Sequence, residues 1–187
     1  MRQFIVSVKS LTPYGAGRYH HTPKETRESA DDYERRTWRE KLHVTPGGKI
    51  LLPAMGFKRC LEETVGYMGE KIPGRGSEKW TKNFLQGVMC LEDLVLEIGP
   101  EKAVEHWVFV PSDGRKGGGK RVWKCFPRVD AWEGSLLFAV IDDLITPDVL
   151  ERYVRISGQL TGVGVWRPRT GGMWGKFQVL ELQETVA

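Results

Sequence analysis

The stretch from Gly158 to Lys176, GQLTGVGVWRPRTGGMWGK, holds six glycines, and a run of that density supports neither a helix nor a strand. Whatever flanks it must be two separate elements joined by a loop whose backbone turns tightly. Both flanks are well marked. Upstream, Thr146-Pro147-Asp148 reads as a helix start. It offers a hydroxyl cap, a proline suited to the first helical position and an acid near the positive end of the helix dipole. Val149, Leu150, Tyr153 and Val154 follow as an inward stripe. Downstream, KFQVLEL at 176–182 has the pattern of a strand.

Earlier segments extend the order. Phe4, Val6 and Val8 alternate with Ile5, Ser7 and Lys9, which predicts a strand. In 50–69, ILLPAMGFKRCLEETVGYMG, the period changes: Phe57, Cys60, Leu61, Val65 and Met68 share one helical stripe, with Pro53 in the first turn. Residues 88–98 and 104–110 read as strands, and SLLFAVI at 135–141 as a central strand. Three segments interrupt this pattern. Residues 12–48 form an insertion, and within it 24–41 carry six basic and six acidic side chains, which predicts an exposed connection with a short polar helix. Residues 70–86 are a basic loop. Residues 112–130, with Gly117-Gly118-Gly119 at their centre, predict a protruding basic hairpin. Without these insertions the order is β-α-β-β-α-β. The expected fold is therefore α+β, a ferredoxin-like or RRM-like palm within a single domain at 1–187.

The 187 residues suffice for a real core, and the net charge of +4 is compatible with a polyanionic partner without establishing one. Cys60, Cys90 and Cys125 are widely spaced, with no CxxC pair, so no zinc or redox motif is indicated. No metal site and no cofactor is expected. The start, MRQFIVSV, is too quickly polar for a signal peptide, and no apolar run approaches a bilayer span, so a cytoplasmic location without membrane contact is expected.

Several groups suit a nucleic-acid backbone. In the glycine-rich segment, Gly162 and Gly164 permit close approach, Arg167, Arg169 and Lys176 pair with phosphate, and Trp166 and Trp174 offer flat faces to a base. The segment matches neither a dinucleotide fingerprint nor a Walker A loop. At the first helix, the amides and dipole attract anions, with Lys58 and Arg59 as reinforcement. In the basic loop, Lys71, Arg75, Lys79 and Lys82 surround Trp80, an interleaving that suits single strands. In the hairpin, Arg115, Lys116, Lys120, Arg121, Lys124 and Arg128 occur with no acid between Asp113 and Asp130. Each group also has an ordinary structural reading, as a turn, a helix start or a solvated loop.

ILLPAMGFK resembles a degenerate form of the IPGSSLKG-type stretch of Cas7-like backbone subunits of CRISPR effector complexes, in the RAMP superfamily. GVGVWRPRTGGMWGKF resembles the family's glycine-rich loop, and the hairpin at 114–128 its thumb. The resemblance covers residues 1–9, 50–69 and 135–182, and it departs at Met55-Gly56, where the family has a serine pair, and in lacking an RNP1 pattern. It implies an RRM-like palm that binds guide RNA through its backbone, with Lys58 in the place of the motif lysine and Gly162 and Gly164 in the loop. Single-stranded RNA is the partner so implied, together with further copies of the chain or CRISPR effector subunits. Some RAMP relatives cleave RNA with an early-loop histidine or aspartate, which makes His20, His21, Asp31 and Asp32 the weak catalytic candidates. His20 and His21 are adjacent and point apart on an extended chain, so they are poor joint ligands. The leading expectation is a non-catalytic single-stranded RNA-binding protein. The alternatives are a RAMP-type RNA endonuclease and a phage-encoded interaction protein that acts on a CRISPR complex.

Overall fold

A computed structural model describes residues 1–112 and 119–185. The first strands are β1 (Arg2–Ser10) and β2 (Tyr14–Gly15), followed by helix α1 (Ala30–Thr37), β3 (His43–Val44) and β4 (Ile50–Leu52). Helices α2 (Ala54–Met68) and α3 (Thr81–Gly87) come next, then β5 (Val88–Cys90), β6 (Leu94–Val95) and β7 (Val104–Pro111). The chain closes with β8 (Arg121–Val129), β9 (Glu133–Val140), α4 (Pro147–Leu160) and β10 (Phe177–Thr185).

The palm is a four-stranded antiparallel sheet in the order β10-β1-β9-β5. With α2 between β1 and β5, and α4 between β9 and β10, this is the ferredoxin-like β-α-β-β-α-β arrangement. The alternation in β1 sets its register. Phe4, Val6 and Val8 are buried, and Val6 lies between Leu136 of β9 and Leu182 of β10. The same core cluster contains Leu136, Phe138, Phe177 and Val179, together with Phe57, Cys60, Leu61 and Val65 of α2 and Leu150, Tyr153 and Val154 of α4. Each large side chain so buried contributes about 1.5–3 kcal/mol. The helices are joined inside this layer by Thr64 and Thr161, whose hydroxyls lie 2.5 Å apart, and by the Cys60 thiol donating to the Ser157 carbonyl at 3.3 Å. The helix start at Thr146 forms as its sequence dictates, with Pro147 in the first turn and the Thr146 hydroxyl accepting from the Val149 amide.

The insertions build further layers. A second sheet, in the order β2-β8-β7, is dominated by the long β7–β8 hairpin, and a third small sheet has the order β3-β4-β6. Four expectations change here, the first being that the basic loop expected at 70–86 ends in helix α3, which begins at Thr81 and buries Phe84. The stretch 88–98 is two strands rather than one: β5 joins the palm, while β6 turns away to pair with β4. The strand predicted at 104–110 is β7, and it pairs with β8 instead of the palm, so the hairpin begins at Val104 rather than at 112. The 12–48 insertion does contain a short polar helix, but it is packed. Trp38 and Leu42 are buried in the core, and β2 extends the hairpin sheet at Tyr14 and Gly15.

Helix α1 lies along β8 on the side away from β7 and carries a buried carboxylate there. Glu34 accepts from the Cys125 amide at 3.1 Å and from the ammonium groups of Lys124 at 2.7 Å and Lys41 at 2.5 Å. Lys41 also donates to the Cys125 carbonyl at 2.7 Å. An open strand edge is a pairing hazard, and here charged side chains and a helix close it. Burial pushes the Glu34 carboxyl upward, but the two lysines and the amide outweigh it and leave the pKa lowered.

Candidate nucleic-acid interface

The start of α2 is already occupied from within. The Ala54 amide donates to the Asp93 carboxylate at 2.8 Å, so a side chain of this chain fills the place expected for an external anion. Lys58 is likewise committed. Its ammonium pairs with Glu62 and donates to the carbonyls of Leu85 at 3.1 Å and Val88 at 3.0 Å. It ties α2 to α3 and β5, and those bonds compete with any phosphate. Arg59, the next residue of α2, is exposed.

The glycine-rich loop is folded onto its own chain. Gly162 and Gly164 both have positive φ, +69° and +80°. A Cβ on Gly162 would sit 2.9 Å from Pro168 Cδ, and one on Gly164 would strike the Gly15 carbonyl and the Tyr14 ring. The close approach expected of these glycines is therefore an approach to this protein's own β2 and loop. Trp166 packs edge-on to Phe126, with centroids 5.7 Å apart, and Trp174 packs against His106 at 4.6 Å. Their rings are spent on the inner face of the hairpin rather than offered to a base. Burial there, reinforced by the Arg128 charge, also lowers the His106 pKa. Arg167 pairs with Glu63 at 3.0 Å and is largely buried, while Arg169 is 60% exposed, with the nearest Glu63 oxygen at 3.8 Å. Arg169 is the freer cation of the segment, and Lys176 is half-buried.

In the basic segment, Trp80 stands at the start of α3 and is core. It is 6% exposed and meets Phe84 edge-on, so its ring cannot receive a base. Arg75, Lys79 and Lys82 are exposed around it.

The hairpin carries what the sequence reading missed. Antiparallel pairing sets Trp107 opposite Cys125, Phe109 opposite Trp123 and Pro111 opposite Arg121, all on one face. His106 and Phe126 lie on the other face, against the glycine loop. The outward face is aromatic and positively charged. Phe109 is 48% and Trp123 45% exposed, with ring centroids 5.2 Å apart. Arg121 lies over Phe109 at 6.0 Å, and Arg35 of α1 over Trp107 at 5.8 Å. Lys120 is exposed at the hairpin's end, while Lys124 is half committed to Glu34 and Arg128 pairs with Asp130 at 2.6 Å. Arg115 and Lys116 lie outside the described residues. The signal for this face was present in the sequence, since Trp107, Phe109 and Trp123 have matching parity across a hairpin. It is hidden because 104–110 reads as a strand with no marked partner and the hairpin reads as beginning only at 112.

The early-loop residues do not converge. His20 is mostly buried, its Nδ1 is 3.4 Å from Glu40, and its ring lies over Tyr33. His21 instead packs edge-on to Tyr19. Asp32 closes the first turn of α1, accepting from the Ser29 hydroxyl at 2.6 Å while its amide donates back to Ser29. Asp31 is exposed and faces the hairpin with Arg35. Among the described residues, no three His, Cys, Asp or Glu side chains gather in a way that could hold a metal ion. No helix among them is long and apolar enough to cross a membrane.

No family model and no curated protein matches the chain. Solved structures do. A chain of the Type III-B Cmr-beta complex, determined by cryo-electron microscopy bound to cognate target RNA, matches 98% of this chain at 13% identity with a TM-score of 0.56. This chain spans 61% of that one. The crystal structure of Cmr6 from Pyrococcus furiosus matches over 95% of this chain and 97% of its own, at 13% identity and a TM-score of 0.50. The likeness is one of fold, and it agrees with the palm topology derived strand by strand above.

Proposed function

We propose that the protein is a non-catalytic, Cas7-like RNA-binding subunit that holds single-stranded RNA through its backbone and assembles with further copies or with CRISPR effector subunits. The observation that carries this reading is the outward face of the β7–β8 hairpin. There Phe109 and Trp123 stand exposed beside Arg121, Lys120 and Arg35. Aromatic rings take bases of any identity, cations take phosphates, and a sheet projecting from a compact palm brings the two together. The fold's likeness to a chain seen in a complex with target RNA supports the same reading. Arg59, Arg75, Lys79, Lys82 and Arg169 are exposed cations for the rest of the backbone path.

The test is an electrophoretic shift with single-stranded RNA across a salt series. Binding at low salt that weakens steeply as salt rises is expected, because each neutralised phosphate releases counterions. No shift at low salt by folded protein overturns the proposal. Labelled RNA incubated with and without EDTA is expected to stay intact, and cleavage in either tube overturns the non-catalytic part.

A further inference from the structure

Between α1 and the outward face of the hairpin lies an open cleft of about 300 Å³, lined by Asp31, Arg35, Trp107 and Trp123. Its walls are built rather than incidental. The Trp107 indole N–H donates to Glu105 at 3.3 Å, and Arg35 lies over the same ring, so this wall has a fixed orientation. The buried Glu34 cluster fixes α1 against β8, and it thereby fixes the distance between Asp31 and the indoles. Asp31 and Arg35 are one helical turn apart on α1 and form no ion pair with each other or with any other described residue. The cleft thus offers two indole rings, one carboxylate without an ion pair among the described residues, and one guanidinium that rests on the Trp107 ring without a carboxylate partner.

We propose that this cleft takes one unpaired guanine base of the bound RNA, a reading that rests on the RNA-binding function above. The indoles supply faces for the ring. A carboxylate accepts two parallel hydrogen bonds when the partner presents adjacent donors. Among the four RNA bases only guanine does so on its pairing edge, with its ring N–H beside its amino group. Adenine and cytosine present one amino group there, and uracil one ring N–H. Arg35 supplies the charge for the attached phosphate or for the guanine carbonyl. The hairpin's other rings then serve bases without regard to identity, and Asp31 adds a single point of selection.

Titrating the full chain with GMP, AMP, CMP and UMP while following tryptophan fluorescence tests this. GMP is expected to bind roughly tenfold or more tightly than the others, since one well-made bidentate contact discriminates on that scale. Asp31→Asn is expected to bring GMP to the level of AMP while leaving AMP unchanged, and Trp123→Ala to weaken all four, with circular dichroism unchanged in both variants. Equal affinity for the four nucleotides, no response to any of them, or a guanine preference that survives Asp31→Asn would each overturn the proposal. RNA shifts run in parallel keep the two readings apart. An RNA shift without guanine preference sinks the cleft alone. A guanine preference without an RNA shift sustains the cleft and sinks the RNA-binding subunit.

Discussion

Trp166 and Trp174 of the glycine-rich loop press edge-on against Phe126 and His106, whereas Trp123, on the opposite face of the same hairpin, is 45% exposed. Both regions join tryptophan to arginine, and both read from sequence as places where RNA binds. They differ in what their neighbours already supply. The loop's glycines fold it back onto β2, and its tryptophans fill the space between loop and hairpin. Its Arg167 meets Glu63. On the hairpin, His106 and Phe126 are consumed by that packing, while Phe109, Arg121 and Trp123, on the other face, are left facing outward, and Cys125 farther along that same face is buried. Residue type therefore says what a segment is able to bind, and burial says whether it is free to do so.

The comparison breaks first at Glu34. Glu34→Ala leaves Lys41 and the Cys125 amide without their buried partner, and it should cost about 3 kcal/mol in urea unfolding, the scale for breaking a buried charge cluster from one side. The same group sets a pH dependence. Its folded pKa lies below the unfolded value, so its stabilisation is present above the unfolded carboxyl range and is lost as pH falls through the folded pKa. Glu34→Ala should show a weaker acid-side loss of stability than the parent chain. If the acid limbs of the two unfolding curves coincide, the hairpin is held by something else.

Gly164→Ala separates a structural loop from a ligand-gripping one. A side chain at φ +80° that also strikes Gly15 and Tyr14 should destabilise by about 2 kcal/mol. RNA affinity, measured well below the lowered melting point, should not change. A loss of affinity with stability intact would return the loop to the binding surface.

On the hairpin the signs reverse. Trp123→Ala should cost about 1–2 kcal/mol in RNA affinity, read by fluorescence anisotropy, with little change in melting temperature. Arg121→Ala should weaken binding to all sequences similarly and lower the salt slope by about 1. The smallest effect is expected at Arg167. Removing its partly buried pairing with Glu63 should cost about 1 kcal/mol of stability and leave RNA affinity within error. A larger loss of RNA affinity at Arg167 than at Arg121 would invert the comparison.

Much of the palm was legible from local pattern. The alternation of Phe4, Val6 and Val8, the stripe of Phe57, Cys60, Leu61 and Val65 and the capped start at Thr146 all describe how one element meets the core, and each took its expected place. The basic hairpin was legible in part, because a glycine triplet between basic residues signals a tip but not where the arms begin. Trp80 and Lys58 were not legible as internal groups. A tryptophan among lysines looks solvent-facing until Phe84 is seen beneath it, and Lys58 looks free until two carbonyls 27 and 30 residues away close on it.

The sequence by itself determined the order of the palm's elements, the capped start of the last helix and the necessity of a tight loop after it. Those are properties of neighbouring residues: backbone freedom, side-chain period and local hydrogen bonding. Only the tertiary structure decided which charges and rings remain available. Availability depends on partners distant in sequence, as when Asp93 fills the end of α2, Glu63 holds Arg167 and Phe126 covers Trp166. It left Trp123, Phe109 and Arg121 uncovered on the outer face because strand alternation turned their neighbours to the other side, and it set exposed Asp31 of α1 beside them.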